Sequence, residues 1–231
     1  MNYDWIIFDA DETLFHFDNF SGLKHMLAKY RVGFDKNDFT EFQNINKPLW
    51  VEYQDGKISA KELQTRRFES WSKRLKIPAE QLNHQFLESM ADICKPLPGA
   101  EALMMHLTKQ SIKSIIITNG FTQLQKVRLE RTKFDRYFPH VIISEEVGVA
   151  KPNQAIFDHA LDKIGNPDRS KVLMVGDTLE SDILGGINAK LDTCWLNHHN
   201  KSHPEHITPT YQVNSLHQLL EQLKQSSKEL N

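Results

Sequence analysis

Two aspartates one residue apart, Asp9 and Asp11, follow a short apolar run, Trp5–Phe8, near the start of the chain. Such a run, bounded by polar residues, reads as a buried strand. Residues i and i+2 of an extended chain project to the same side, so both carboxylates can face one site just past the strand end. Adjacent carboxylates repel unless a cation or a proton intervenes. A hard divalent cation that takes oxygen ligands, Mg²⁺ first and Mn²⁺ or Co²⁺ as substitutes, would supply that compensation. An isolated Asp-x-Asp is more often an acidic turn. Three further signals shift the balance here. Thr118 closes an apolar run at Ser114–Ile117, Lys151 precedes Pro152 after a loop, and Gly176-Asp177 follows the run Val172–Val175 with Asp182 five residues on. Each stands at or just after the end of an apolar segment, and each is a residue type that phosphate chemistry uses.

These residues need a scaffold that brings strand ends together. An ordinary βαβ unit would return to a second strand within about 30 residues of the first. Instead the next convincing strand is Ser114–Ile117. The intervening segment carries helical stripes: Phe20, Leu23, Leu27 and Tyr30, then Leu63, Phe68, Trp71 and Leu75, then Leu82, Phe86, Met90 and Ile93. Pro48, between the first two, is expected near a helix start. Residues 17–95 therefore read as a helical cap domain inserted into a core of residues 1–16 and 96–231. Lys95-Pro96-Leu97-Pro98-Gly99 suits a stiff connector back to that core. From residue 100 onward helices and strands alternate: helix Ala100–Lys109, strand Ser114–Ile117, helix Thr122–Arg131, strand Val141–Ile143, helix Asn153–Ile164, strand Val172–Val175, a short helix near Asp182, and strands Thr193–Leu196 and Tyr211–Val213. The fold class is α/β, a doubly wound, Rossmann-like parallel sheet with helices on both faces. Ligands of such sheets bind outside the carboxyl ends of the strands, where Asp9, Thr118 and Asp177 all fall.

Asp-x-Asp-x-Thr at 9–13, Thr118 at a strand end, Lys151-Pro152, and Gly176-Asp177 with Asp182 together resemble the four motifs of the haloacid dehalogenase-like hydrolases. Asn46-Lys47-Pro48-Leu49-Trp50, Arg67-Phe68-Glu69-Ser70-Trp71 and the block Ile142–Pro152 are more closely similar to the bacterial pyrimidine 5′-nucleotidase (house-cleaning nucleotidase) branch. That resemblance implies phosphate removal from pyrimidine nucleoside monophosphates of the dUMP, UMP and dTMP type. It also implies that Asp11 offers its backbone carbonyl, and Asp9 and Asp177 their carboxylates, to Mg²⁺. Glu12 departs from the glycine of many relatives, and a turn is expected to tolerate it.

The residue types fit that chemistry in their own right. Asp9 is the candidate nucleophile, forming an aspartyl-phosphate. Asp11 is the candidate general acid for the leaving alkoxide and then general base for the hydrolytic water. Phosphoryl transfer spreads charge over three equatorial oxygens. The Thr118 hydroxyl, the backbone N–H of Asn119 and the Lys151 ammonium suit those oxygens. Asp182 is placed either to reach the cation through a water or to hold Lys151. A pyrimidine leaving group needs an aromatic face and polar edge contacts. Lys47, Trp50 and Tyr53, off the main stripes, are candidates for that role, with simple packing as the alternative.

Bulk properties narrow the field. The chain has 231 residues, 39% hydrophobic and 25% charged, with a formal net charge of −2. No basic field points to a nucleic acid polymer or an anionic membrane, no apolar stretch reaches transmembrane length, and no signal peptide is visible. Cys94 and Cys194 match no metal spacing and are expected as free thiols of a cytoplasmic protein. A monomer or weak homo-oligomer is expected. His198, His199, His203 and His206 fit no zinc pattern and read as a solvated loop. The polar stretch from Glu221 is expected to fray. Three other readings compete. One is a sugar-phosphate or broad metabolite phosphatase on the same scaffold. A dehalogenase would not need Asp11. A phospho-acceptor signalling domain would lack the insertion and the second acidic motif.

Overall fold

The computed structural model describes residues 1–228. Six strands, β1 Trp5–Phe8, β2 Lys113–Thr118, β3 Val141–Ile143, β4 Val172–Gly176, β5 Asp192–Leu196 and β6 Tyr211–Val213, form one sheet in the order β3-β2-β1-β4-β5-β6. Every neighbouring pair is parallel. The first strand lies inside the sheet, and the chain builds outward from it on one side and then on the other. Phe8 aligns with Ile116 of β2 and with Val175 of β4, so β1, β2 and β4 run out at one edge. The order reverses between β1 and β4, which is the place where open α/β sheets bind ligands.

The helices are, in chain order, α1 Asn19–Ala28, α2 Lys36–Gln54, α3 Ala60–Arg66, α4 Glu69–Leu75, α5 Ala79–Ile93, α6 Ala100–Lys109, α7 Thr122–Thr132, α8 Ser144–Val147, α9 Gln154–Lys163, α10 Leu184–Asn188 and α11 Leu216–Lys228. Side-chain alternation along β1 feeds both layers. Ile6 and Phe8 join Leu103 and Leu107 of α6 and Leu219 and Leu223 of α11. Ile7, between them, joins Ile156, Phe157 and Leu161 of α9 on the other face. Burial on both faces explains why these strands read as continuous apolar runs.

Helices α1–α5 gather a separate apolar cluster around Leu23, Phe42, Leu63, Phe68, Phe86 and Met90. Phe121 and Leu124 at the start of α7, and Ala150, join that cluster from the side of the sheet. Two chain crossings link the regions and lie side by side: the His16 N–H donates to the Lys95 carbonyl at 2.9 Å and the Leu97 N–H to the Leu14 carbonyl at 2.8 Å.

Pro48 does not start a helix; it lies inside the 19-residue α2. A capping box of Asp35 and Asp38 nucleates that helix, and burial of Phe42, Leu49 and Tyr53 carries it past the proline. An interior proline costs about 3 kcal/mol, so tertiary packing here outweighs propensity. The stripe Leu63–Leu75 is two helices, α3 and α4, broken at Arg67 and Phe68. The loop after β3 contains the short α8. Asp182 lies in a wide helical turn, Leu179–Ile183, just before α10. The stretch from Glu221 continues α11 to Lys228, and the rest of the expected fraying lies outside the described residues. Cys94 and Cys194 are free thiols. Among the described residues no helix is long and apolar enough to cross a membrane.

Candidate active site

The site starts where β1 stops. The Asp9 N–H still donates to the Val175 carbonyl, at 2.9 Å, extending the ladder by one residue before the chain turns. Glu12 follows with φ +54°, a left-handed conformation that costs a non-glycine residue about 1 kcal/mol. Its side chain is used locally: Oε1 pairs with His16 Nδ1 at 3.0 Å and accepts the Phe17 N–H. Its carbonyl meets His198 Nε2 at 2.8 Å. The turn accommodates the residue that departs from glycine, and His198 braces it; His199 and His206 are exposed.

Lys151 reaches the same point from the loop before α9. Asn119 fixes its backbone, accepting the Lys151 N–H at 2.7 Å through Oδ1 and donating Nδ2 to the Lys151 carbonyl at 3.0 Å. The buried ammonium donates to the Ile117 carbonyl at 2.8 Å and pairs with Asp9 Oδ1 at 2.6 Å and Asp182 Oδ1 at 2.7 Å. Asp182 therefore holds Lys151, one of its two expected roles. Its other oxygen accepts the Thr178 N–H at 3.0 Å. Gly176 makes this approach possible, because a Cβ there would lie 2.3 Å from Asp182 Oδ2. The Thr118 hydroxyl accepts the Gly120 N–H at 3.0 Å, which tightens the loop after β2. The Asp177 carbonyl is held by the Trp195 indole N–H at 2.8 Å, leaving the carboxylate at the cavity wall.

Asp9, Asp11, Thr118, Asn119, Lys151, Asp177 and Asp182 all line one cavity of about 220 Å³. Trp50 and Gln54 of α2 line it too. The other two candidates from this helix lie elsewhere. Lys47 is exposed and does not line the cavity. Tyr53 is buried, its hydroxyl donating to Ser144 Oγ at 2.7 Å, so it packs α2 against α8. Trp50 stacks at 5.3 Å from Phe121, the residue before α7.

The electrostatics of the cluster are unbalanced. Burial opposes the Lys151 charge, but Asp182 and Asp9 outweigh it and hold the ammonium above its ordinary range. Burial, reinforced by Asp182 and Asp9, pushes the Asp177 carboxyl up to about 8. Burial likewise raises Asp182, to about 6, against the pull of Lys151. Asp9, Asp177 and Asp182 place carboxylate oxygens within 4.8 Å of one another. Three clustered carboxylates, Asp9 and Asp182 buried and Asp177 half-buried, lie around an ammonium that pairs with Asp9 and Asp182, and their donors are all hard oxygens. This donor set fits a divalent cation of the Mg²⁺ type. The Asp11 carboxylate is not in that group. It turns to Arg128 of α7, and burial, against the pull of Arg128, leaves its carboxyl raised.

Arg128 and Gln54 are additions to the residues read from sequence. A charged residue on the buried face of α7 is a visible signal for Arg128. Gln54 lies four residues after Trp50 on the same face of α2, so the spacing from Trp50 is the signal that could have found it.

The geometry has counterparts in known proteins. The chain is 59% identical over 219 residues to the pyrimidine 5′-nucleotidase YjjG of Escherichia coli, covering 95% of this chain and 97% of that one. It is 32% identical over 228 residues to the pyrimidine 5′-nucleotidase PynA of Streptococcus pneumoniae, covering 96% and 95%. Its fold matches the magnesium-bound crystal structure of the HAD-hydrolase YfnB of Bacillus subtilis with a TM-score of 0.82 and 26% identity, over 96% of this chain and 99% of that one. The family model for haloacid dehalogenase-like hydrolases matches residues 3–190, a span that contains every residue around the cavity, and the chain belongs to that family.

Proposed function

We propose that the protein is a phosphomonoesterase that hydrolyses pyrimidine nucleoside 5′-monophosphates to nucleoside and phosphate. One observation carries the reading beyond the family. The cavity that holds Asp9, Lys151 and Asp177 is closed on another side by Trp50 and Gln54, an aromatic face and an amide edge suited to a nucleobase. The similarity to two pyrimidine 5′-nucleotidases supports the same substrate class.

In this reading residues 17–95 are a cap domain over a core of residues 1–16 and 96–231, and the paired crossings near His16 and Leu97 are its hinge. An Asp9 oxygen attacks phosphorus, and the P–O ester bond breaks as the aspartyl-phosphate bond forms. Asp11 passes its proton to the departing 5′-alkoxide, then takes one from the water that attacks the phosphoryl group and frees Asp9. Burial keeps Asp11 protonated more readily than an exposed carboxyl, as the first step requires. Lys151, held by Asp9, Asp182 and the Ile117 carbonyl, faces the transferred group with Thr118 and the Asn119 N–H. Mg²⁺ bound by the Asp9 and Asp177 carboxylates and the Asp11 carbonyl would neutralise charge on the phosphate, and Mn²⁺ or Co²⁺ would serve in its place. The cap excludes water and inspects the leaving group. The enzyme so described works in the cytoplasm on a small nucleotide, as a monomer or weak homo-oligomer, and needs neither a nucleic acid polymer nor a membrane.

The test is phosphate release from dUMP, UMP, dTMP, AMP and a hexose phosphate, with Mg²⁺ and with EDTA. Metal-dependent turnover that favours the pyrimidine nucleotides is expected. A preference for the hexose phosphate would keep the chemistry and overturn the substrate.

A further inference from the structure

Asp11 lines the cavity, yet its carboxylate is held by a side chain outside it. Arg128 does not line the cavity and is 1% exposed, yet its guanidinium donates to Asp11 Oδ1. Three contacts leave that guanidinium little freedom. It lies 4.8 Å over the Phe15 ring, its Nε donates to Gln125 Oε1 at 3.0 Å, and one terminal nitrogen donates to the same oxygen. Gln125 is equally buried, and its Nε2 has no hydrogen-bond partner among the described residues. That amide nitrogen packs against the loop after β2: a Cβ on Gly120 would lie 2.4 Å from Gln125 Nε2, 3.2 Å from Thr118 Oγ1 and 3.6 Å from Asp11 Oδ2. Gly120 is therefore what lets α7 bring Gln125 against the loop that carries Thr118.

A guanidinium has donors and no acceptor. An Asp11 oxygen bonded to it cannot also present an acidic hydrogen toward it. With Oδ1 accepting from Arg128, the transferable proton of the carboxylic acid is favoured on Oδ2, the oxygen on the Gly120 side. We propose that Arg128, oriented by Gln125, is a positioning residue that fixes Asp11 in the rotamer and proton placement needed for general-acid catalysis. The inference rests on the phosphatase reading above. In the step it serves, the proton leaves Asp11 Oδ2 for the alkoxide oxygen as the P–O bond breaks and the Asp9–phosphorus bond forms, so charge and atoms balance without another reactant. Arg128 itself donates and accepts no proton.

The two kinds of leaving group separate this role from a structural one. A nucleoside 5′-alkoxide needs a proton to depart, whereas a nitrophenolate does not. The measured quantity is kcat/KM, which reports on steps up to cleavage of the ester, for dUMP and for 4-nitrophenyl phosphate. Arg128→Met keeps an unbranched, bulky side chain and removes the donors. It is expected to lower kcat/KM for dUMP by about 30-fold or more and for the aryl ester by less than about threefold, a part of the 10²–10⁴ that a positioned acid supplies. Asp11→Asn should discriminate in the same direction and more strongly. Gln125→Met, which leaves Arg128 unoriented, should show the same pattern at about fivefold, and it carries the test if Arg128→Met does not fold by circular dichroism. Equal losses on the two esters, with Asp11→Asn discriminating, overturn the positioning role and leave the phosphatase reading intact. An Asp11→Asn enzyme that does not discriminate overturns the general-acid assignment and this inference with it.

Discussion

The sheet edge and the helices above it each bury a cation, and they neutralise it by opposite means. At the edge, Lys151 is 1% exposed and is met by two carboxylates, Asp9 and Asp182. Among the helices, Arg67 is 4% exposed and, among the described residues, is met by no carboxylate. Its Nε and a terminal nitrogen donate to Asn83 Oδ1, and its guanidinium lies 5.0 to 5.5 Å from the ring centres of Phe121, Phe86 and Phe68. Burial opposes the charge at both sites: at Lys151 the two carboxylates outweigh it and keep the ammonium charged, whereas at Arg67, with no carboxylate partner among the described residues, it pushes the guanidinium down to about 9. A carboxylate partner ties a cation to a fixed position relative to other charges, which phosphoryl transfer requires. An amide and three ring faces only satisfy it, which is enough to cement a helical core.

The comparison breaks first at its charged end. Asp9→Asn removes the proposed nucleophile and keeps the shape, so turnover of a nucleotide should fall below detection while the fold and Mg²⁺-dependent nucleotide binding persist. Single-turnover assays and equilibrium dialysis check the two halves of that statement, and residual turnover would remove Asp9 from its role. Lys151→Met should cost both activity and stability. Removing one partner of a buried pair costs about 3–5 kcal/mol, because the remaining charge is left uncompensated. Here two carboxylates would be left facing each other. Thermal melts should therefore show a clear loss in the metal-free protein, and added Mg²⁺ should restore part of it by occupying the same negative site.

The same contrast explains what the sequence made legible. Asp9, Thr118 and Asp177 each follow the end of an apolar run by one or two residues, and a parallel sheet brings all such ends to one edge. Local position thus translated into spatial position with few alternatives. Lys151 was legible for the complementary reason, as a cation close to a proline in a loop where nothing helical could hide it. On the helices the mapping is weaker. The stripe from Leu63 to Leu75 looked continuous because Phe68, at the break between α3 and α4, is itself buried in the shared core. Pro48 looked like a boundary because its cost is local, whereas the packing of Phe42, Leu49 and Tyr53 that offsets it is tertiary. Trp50 reached the cavity while Tyr53, three residues on, turned to Ser144. A helix presents residues three apart on nearly the same face, so spacing alone does not separate them. Arg128 stands out as a charge on the buried face of α7, but its partner does not, because Asp11 lies 117 positions earlier in the chain.

A smaller effect tests the aromatic wall. Trp50→Ala opens the cavity on the side of α2 and removes a ring that also packs on Phe121 and Tyr53. Stacking a base on an aromatic is worth about 1–3 kcal/mol. KM for dUMP should therefore rise roughly 5- to 150-fold, with a much smaller change for 4-nitrophenyl phosphate. Equal losses on the two esters would assign Trp50 to packing alone.

The smallest effect is expected at Arg67, and it is the one that sharpens the comparison. Arg67→Met removes the charge, keeps much of the stem and leaves Asn83 Oδ1 without its donor. The loss is a charged hydrogen bond of about 1.5–3 kcal/mol and ring contacts of up to about 2 kcal/mol. The gain is relief of a desolvation penalty of several kcal/mol for an ion with no counter-ion. These terms nearly cancel, so stability should change by less than about 1.5 kcal/mol, well under the cost of Lys151→Met. Asn83 also donates to Gln64 at 2.8 Å, Gln64 to Glu145 at 2.6 Å, and Glu145 accepts the Thr122 N–H at 2.8 Å, so the rest of this polar chain remains in place. Activity should stay within about threefold of the parent, since the groups proposed as general acid, nucleophile and phosphate ligands are untouched. A loss in denaturant melts as large as that of Lys151→Met would show that an amide and three aromatic faces compensate a buried cation as fully as two carboxylates do, and the contrast between the two regions would fall.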